Sequence, residues 1–296
     1  MSDPKIVPTI RKANFQAWED AVSEDRQTHQ ERVASEVFLA ALGSTDNFRK
    51  KIFLKGGVLV GAVYESGRNT ADLDFSTSLD PSKDFLAKLE AELVAALPAA
   101  AASVGSPDTI IKVQSVKYRP RPETFIEANA PALEVKFAFA KRGTKGEDKL
   151  RSGKSSNVIY ADISFNEEIS FIEEISIGDS GISFFAYSKC DLIAEKLRST
   201  LQQKIRGRNR RQDVYDLWYI VSNFSISNAE RNDIFQVFLQ KCQSRDITPN
   251  SRSFSDTEII QRSKVEWDTL ESEVRQLPEF DIAYEVVANF YASMWT

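Results

Sequence analysis

The sequence predicts an α+β fold followed by a C-terminal helical bundle. Strand-like runs are confined to about the first 185 residues, and helical apolar spacing dominates from Ser188 onward. The chain has 296 residues, 42% of them hydrophobic and 27% charged, which is enough for one large domain or two packed ones. We therefore predict an α+β domain with an N-terminal helix over residues 1–185 and a helical domain over residues 186–296.

Helices and strands alternate in the predicted first domain. Apolar residues at helical spacing predict a helix over residues 13–42 that ends at Gly43. The run KIFLKGG indicates a short buried element entering a turn, VLVGAVYE a helix and DLDFSTS a strand. A helix over residues 82–97 is expected to stop at Pro98. Three further strands are predicted in TIIKVQSVKY, ALEVKFAFA and NVIYADISF, and the strand signals fade after SGISFFAY.

The predicted second domain is built from helices. Ser188 has the form of an N-cap, because Asp191 follows it at the third position of the helix. Helical spacing then predicts helices over residues 188–202, 211–223, 227–243, 256–274 and 281–293.

Composition excludes several classes of function. The net charge of −5 argues against nucleic-acid binding through overall charge. His29 is the single histidine, which argues against His-rich metal sites and His-based triads, and Cys190 and Cys242 fit no metal or redox spacing. No apolar run approaches about eighteen residues, so we expect a cytoplasmic protein that does not insert into a membrane. The chemistry must rest on carboxylates, Lys, Arg or hydroxyl groups.

Two acids flank Leu73 in the sequence DLDFS. In a strand Asp72 and Asp74 share one face, roughly 7 Å apart, and their mutual repulsion favours a bound cation. Mg²⁺ is the natural candidate because it prefers oxygen ligands and brings substrate phosphates with it. A pair of solvated surface acids is the competing interpretation. Gly56 and Gly57, upstream, favour the metal-nucleotide interpretation because a glycine turn entering a helix can cradle phosphate with its amides.

A third acid is available on another predicted strand. Asp162 lies in NVIYADISF with a hydrophobic residue on each side, as expected of a strand beside the first acid pair. Glu134 in ALEVKF is the alternative. We prefer Asp162 as the third metal ligand.

Two charges lie on apolar helical faces in the second domain. Lys196 falls between Leu192 and Ile193 in projection. Asp213 shares its face with apolar residues of the next helix, while Asp216 lies toward the edge of that face. Burial of either charge is costly without a partner. They are expected to pair with each other, or the lysine binds a triphosphate; snorkelling of the lysine is the structural alternative.

Arginines crowd the segment KIRGRNRRQD between these two helices. Such a loop can bind phosphates through bidentate hydrogen bonds, although a solvated charge cluster is the simpler interpretation. The stretch KVQSVKYRPRP is a second basic candidate for contact with an RNA backbone.

The assembled motifs resemble the AbiEii/AbiGii toxin family of nucleotidyltransferases. LKGG, R-x-T-x-DLDFS, ADIS, AEKLRS and RRQDVYDLW occur in that order over residues 53–220. The resemblance implies a DNA polymerase β-like nucleotidyltransferase core with a mixed β-sheet and a helical C-terminal part. One departure is Val58, which stands after the Gly-Gly pair where similar sequences often supply a hydroxyl.

The resemblance also implies the roles of the candidate residues. Mg²⁺ would be bound by Asp72, Asp74 and Asp162. The catalytic set would be Asp72, Asp74, Lys196 and Asp213, and the nucleotide contacts would be Lys55, Gly56, Gly57, Arg68, Arg208 and Arg211.

Family members transfer a nucleotide from an NTP, in some cases to the acceptor end of tRNA, and act beside a cognate antitoxin. We therefore predict an Mg²⁺-dependent nucleotidyltransferase toxin with an NTP substrate, an RNA acceptor and an antitoxin partner. The alternative functions are a nucleotide-binding module that acts through an antitoxin or other protein with little turnover, and a structural nucleic-acid-binding protein, which the acidic net charge disfavours.

Overall fold

The computed structural model describes residues 3–70 and 72–296, and the chain divides into two compact units. The first unit comprises Met1–Glu167 and Ile172–Ala186, and the second comprises Glu168–Phe171 and Tyr187–Thr296. The domain boundary predicted between residues 185 and 186 stays a prediction. The compact units differ from it mainly at Glu168–Phe171, which joins the second unit.

An eight-stranded mixed sheet is the framework of the first unit, with strand order β1-β7-β8-β2-β3-β6-β5-β4. Strand β2 pairs antiparallel with β3 and parallel with β8, whereas β3 pairs parallel with β6. Strand β5 pairs antiparallel with both β4 and β6. The strands are β1 Lys5–Ala13, β2 Ile52–Lys55, β3 Leu73–Thr77, β4 Thr109–Arg119, β5 Ala132–Lys141, β6 Val158–Ser164, β7 Phe171–Ile177 and β8 Ser183–Tyr187.

Helices pack against both faces of this sheet. The helices of the first unit are α1 Phe15–Asp20, α2 Arg26–Gly43, α3 Gly56–Val58 with its π-helical continuation Leu59–Val63, α4 Phe85–Ser103 and α5 Lys145–Arg151. On α2, Phe38 packs against Phe75 of β3 and Phe137 of β5, with ring centroids 6.0 and 4.7 Å apart. Leu150 of α5 packs on Ala138, which alternates to the opposite face. On β5 and β6 that second face carries half-buried and exposed side chains, whereas β2 and β8 are buried along almost their whole length.

Several elements of the first unit differ from the sequence predictions. Strands β1 and β7 and helix α5 were not predicted, and the helix expected over residues 13–42 is divided into α1 and α2. Pro98 does not end its helix, which continues to Ser103. The residues after Pro98 are mostly alanines, and Ala100 and Ala101 are buried, so good helix formers and packing outweigh the lost hydrogen bond.

The second unit is helical from Lys189 onward, as predicted. Ser188 caps α6 by accepting a hydrogen bond from the backbone N–H of Asp191, and α6 ends at Gly207, whose φ is 60°. The helix predicted over residues 256–274 is instead α9 followed by a 3₁₀ turn over Trp267–Ser272. The helices are α6 Lys189–Arg206, α7 Arg211–Asn223, α8 Asn228–Gln243, α9 Thr257–Lys264 and α10 Phe280–Ser293. The predicted α+β class with a helical C-terminal part is confirmed.

Two further properties of the chain concern membrane-spanning helices and cysteines. Across residues 3–70 and 72–296, no helix has the length and apolar character needed to span a bilayer. Cys190 and Cys242 are both free thiols, and Cys242 is buried.

Candidate active site

A row of charged side chains crosses the first unit's sheet from strand to strand. Lys55 of β2 pairs in register with Asp74 of β3, and Asp74 pairs with Asp162 of β6. The row continues through Glu134 of β5 to Lys117 of β4. Residues directly opposite each other in neighbouring strands point to the same face, so these five side chains form one acid row bounded by lysines.

Asp74 lies between Lys55 and Asp162 in this acid row and has a strongly perturbed pKa. Burial raises the pKa of its carboxyl to about 6, opposed by Lys55 and Arg68 and reinforced by the charges of Asp162 and Asp72. Asp72, just before β3, is an exposed residue. Partial burial of its carboxyl nevertheless raises the pKa of that group. A bound cation would relieve this excess of negative charge.

Asp162 is the acid that lies next to Asp74, and Arg119 holds it. The Arg119 guanidinium hydrogen bonds to Asp162, and its Nε lies 2.9 Å from Glu134 Oε1. Burial raises the pKa of the Asp162 carboxyl, although Arg119 and Lys55 oppose the shift. Glu134, the alternative third acid, lies one strand farther from Asp74 and also pairs with Lys117, at 3.1 Å.

Lys55 is oriented by an acid that the sequence analysis did not select. Its ammonium forms an ion pair with Glu167, and the buried hydroxyl of Ser76 donates a hydrogen bond to the same carboxylate oxygen. Both side chains of the Lys55–Glu167 pair are largely buried, with 13% and 14% exposed. The pair therefore fixes the lysine ammonium on the face that carries Asp74.

The two glycines of the predicted phosphate turn fit closely around these side chains. Gly56 has φ of +71°, and a Cβ at that position would lie 2.1 Å from Asp74 Oδ2. A Cβ on Gly57 would lie 2.9 Å from the Thr70 side chain and 3.3 Å from the Arg68 guanidinium. Only glycine at position 56 permits the chain to pass this close to Asp74. The predicted residues Lys55, Gly56, Gly57, Arg68 and Asp74 are thus brought together.

The donor set suits a divalent ion that shares its ligands with a substrate. Within residues 3–70 and 72–296, no three His, Cys, Asp or Glu side chains converge as a preformed metal cage. Mg²⁺ does not require one, because it is commonly bound by one or two carboxylates together with substrate phosphates and water. Asp72 and Asp74 fit that requirement, with carboxylates whose ionisation burial disfavours.

A separate cavity of about 280 Å³ lies between α2 and the ends of β4 and β5. None of the predicted site residues lines it. The candidate site is the sheet face that carries the acid row.

The second unit contains the buried charge cluster predicted around Lys196. Its ammonium lies 3.2 Å from Asp213 Oδ1 and 2.6 Å from Asp216 Oδ2, so the expected lysine–aspartate pair is present. Burial alone would raise the pKa of Asp213, but Lys196, Arg210 and a hydrogen bond from Ser199 lower it below its usual value. Asp216, expected nearer the helix edge, is the more deeply buried acid, with none of its side chain exposed.

The arginines of the segment before α7 have different environments. Arg208 is exposed, whereas Arg211 forms ion pairs with Glu266 at 3.2 Å and Glu273 at 3.7 Å. Burial and the neighbouring arginines, Arg198 first among them, lower the pKa of Arg206, which indicates a concentration of positive charge. This concentration suits a phosphate-binding surface on the second unit.

Sequence reasoning missed three participants in these two clusters. Glu167 and Arg119 contact predicted residues from outside the motifs, and Asp216 was placed at the helix edge. Arg119 carried a weak signal as part of a basic stretch, and Asp216 follows Asp213 by three residues, which is the spacing of one helical face. Glu167 carried no such signal in the sequence. It lies after β6, where Asn166, with φ of 55°, turns the chain.

Comparison with known proteins places this geometry in a family. The family model described as "Nucleotidyl transferase AbiEii toxin, Type IV TA system" matches residues 37–286. MenT4, a nucleotidyltransferase toxin from Mycobacterium tuberculosis H37Rv, shares the fold with a TM-score of 0.52 and 15% identity, over 95% of this chain and 89% of MenT4. A search of curated proteins found no significant match. The chain therefore belongs to the AbiEii family of nucleotidyltransferase toxins of type IV toxin–antitoxin systems, as its motifs predicted.

Proposed function

We propose that this protein is a metal-dependent toxin that transfers a nucleoside monophosphate from an NTP to an RNA acceptor, with the 3′ end of tRNA as the first candidate. The observation that carries the proposal is the placement of Asp74 and Asp162 on neighbouring strands, with Lys55 beside them. Two carboxylates and a lysine on one sheet face form a site for a metal ion and a phosphate chain.

Asp72 and Asp74 would hold Mg²⁺, with Asp162 as the third acid once Arg119 is displaced. When bound, the ion neutralises phosphate charge and lowers the pKa of an attacking hydroxyl. Lys55, oriented by Glu167, neutralises charge beside Asp74, and Arg68 contributes a second positive charge nearby. Gly56 and Gly57 leave room for the phosphate chain next to Asp74.

The second unit contributes residues that the family motifs select. Lys196 would offset charge that develops on the leaving pyrophosphate, and Asp213 would position that lysine, in agreement with their 3.2 Å contact. Arg208 is exposed and available for phosphate, whereas Arg211 would have to exchange its partners Glu266 and Glu273 for the nucleotide.

The family context supports two further parts of the proposal. A type IV toxin–antitoxin system implies a cognate antitoxin that restrains this chain. Because the acceptor is RNA, we place its activity in the cytoplasm.

The test is incubation of the purified protein with Mg²⁺, each labelled NTP in turn and total RNA, followed by identification of the labelled band. We expect one NTP to label RNA with release of pyrophosphate, and Asp74→Ala to slow the reaction at least about 100-fold with the fold intact. Unchanged activity of Asp74→Ala would overturn the mechanism. Nucleotide binding without pyrophosphate release would favour a binding module with little turnover.

A further inference from the structure

A second row of side chains runs parallel to the acid row on the same sheet face. The register pairs Ser115 of β4 with Lys136 of β5, and Lys136 with Tyr160 of β6. Tyr160 is 46% exposed, and the Lys136 ammonium lies 5.2 Å from the centre of its ring. A strand of the sheet thus presents an aromatic ring to solvent with a cation beside it.

This pair lies directly beside the proposed catalytic acids. Tyr160 and Asp162 share one face of β6 and are roughly 7 Å apart at their Cα atoms. Leu73 pairs with Ala161 in the parallel register. One position earlier on each chain segment, Asp72 and Tyr160 are therefore brought towards each other. On the other side, Ala138 of β5 packs under Leu150 of α5, and Val158 of β6 packs against the same cluster. The Tyr160–Lys136 pair therefore occupies the strip between the acid row and α5.

The environment of Tyr160 suits contact with a nucleobase. The residue as a whole is nearly half exposed even with Lys136 beside its ring. Aromatic side chains on exposed sheet faces stack nucleobases without sequence preference, and an adjacent cation neutralises the backbone phosphate. An open face, unlike an enclosed cavity, suits a strand that passes across the sheet.

We propose that Tyr160 and Lys136 bind the single-stranded end of the RNA acceptor, with a nucleobase stacked on the Tyr160 ring and a backbone phosphate near Lys136. This proposal rests on the proposed function and identifies where the acceptor approaches the acids. The pair would position the strand so that its terminal hydroxyl reaches the acid row. Tyr160 and Lys136 are positioning residues, since neither takes part in bond formation.

The first test measures binding apart from catalysis. In the full chain carrying Asp74→Asn, fluorescence anisotropy with a labelled single-stranded RNA oligonucleotide compares Tyr160→Ala, Tyr160→Phe and Lys136→Ala at constant salt. We expect Tyr160→Ala to weaken binding about 5- to 150-fold, the range for one stacked base, and Tyr160→Phe to retain it. Lys136→Ala should weaken binding and reduce its salt dependence by about one phosphate contact. Val94→Ala is the control, because it trims an exposed side chain of α4.

The second test uses the active chain and separates the acceptor from the nucleotide. Tyr160→Ala should raise KM for the RNA and leave KM for the NTP unchanged. Absence of RNA binding by the Asp74→Asn parent, equal binding by Tyr160→Ala, or an increase confined to KM for the NTP would each overturn the proposal. Loss of the proposed function has a different signature, since then the parent chain itself would transfer no nucleotide to RNA.

Discussion

At the scale of single residues, the buried carboxylate of Asp74 lowers the stability of the folded protein while serving the proposed reaction. Its pKa of about 6 lies above the usual value of 3.8, so the folded protein holds this proton more tightly than the unfolded chain. Stability is therefore lost as pH rises through the interval from 3.8 to about 6. Asp74→Asn has no such loss and should be more stable than the parent at neutral pH, by on the order of 1–3 kcal/mol.

The measurement is urea unfolding of the parent and Asp74→Asn in EDTA, at about pH 5 and about pH 7.5. The advantage of the variant should be larger at the higher pH, where the parent carboxyl is ionised. Mg²⁺ should stabilise the parent more than the variant, since the ion binds only the carboxylate. Equal stability of the two proteins at both pH values would show that burial does not disfavour the Asp74 charge.

Gly56 offers a second prediction at this scale. In Gly56→Ala the new methyl group would lie 2.1 Å from Asp74 Oδ2, in a backbone conformation with φ of +71°. We expect a loss of unfolding free energy beyond the 1–2 kcal/mol or so of left-handed strain, and loss of nucleotide transfer because Asp74 must move.

The matched control for Gly56 is Gly105→Ala, measured by the same unfolding and transfer assays. Gly105 has φ of +76°, and no described residue comes within 4 Å of the position that a methyl group would occupy there, so only the backbone strain applies. Its transfer activity should stay at the parental level. Similar losses in both variants would mean that the contact with Asp74 adds nothing.

At the scale of elements, the contact between α6 and α7 depends on one lysine shared by two acids. Lys196 and Asp216 are almost fully buried, with 6% and 0% of their side chains exposed. Asp216→Ala should destabilise the protein by about 3–5 kcal/mol, because it removes the nearer partner of a buried charge. Chemical unfolding measures this loss. The control is Lys204→Ala, which breaks an exposed pair with Asp256 and should change the unfolding free energy by less than about 1 kcal/mol.

The same helix pair separates a structural acid from a catalytic one. If Asp213 positions Lys196 for the nucleotide, Asp213→Asn should reduce transfer far more than it reduces stability. Asp216→Asn should reduce stability more than it reduces transfer, since the Asp216 side chain is buried more deeply than that of Asp213. Equal effects of the two substitutions on transfer would remove the distinction.

At the scale of the whole molecule, the second unit is completed by a short segment from elsewhere in the chain. Asp191 is buried and accepts hydrogen bonds from the backbone N–H groups of Ser170, at 3.2 Å, and Phe171, at 2.5 Å. The ammonium of Lys241 pairs with Asp191 at 3.1 Å and donates to the Glu168 carbonyl at 2.6 Å. Helices α6 and α8 are thereby joined to residues 168–171.

We predict that a fragment of residues 187–296 does not fold cooperatively, because it lacks the groups that satisfy Asp191 and Lys241. Thermal unfolding followed by circular dichroism tests this directly. In the full chain, Asp191→Ala should lower the unfolding free energy by about 3–5 kcal/mol, because it removes the nearer carboxylate partner of the buried Lys241. A cooperative transition of the isolated fragment would show that residues 168–171 are dispensable.

Sequence patterns predicted the fold class and the family, which are confirmed, and the motif residues of the candidate site, which remain a prediction. Alternation predicted one face for Asp72 and Asp74, although β3 begins only at Leu73, and helical spacing turned Lys196 and Asp213 inward, because both periods are properties of the local backbone. The edge strand β1 escaped prediction because it is largely exposed and carries Pro8, so it has no buried apolar face to reveal it.

The tertiary structure alone decided which charges meet. Strand order and register bring Asp162 next to Asp74, give Arg119 to Asp162 and Glu134, and set Tyr160 beside the acid row. It also supplied Glu167 as the partner of Lys55 from 112 residues away. Local periodicity shows which face a residue occupies, whereas the neighbour across a sheet depends on strand pairing between distant segments, which no single window of sequence contains.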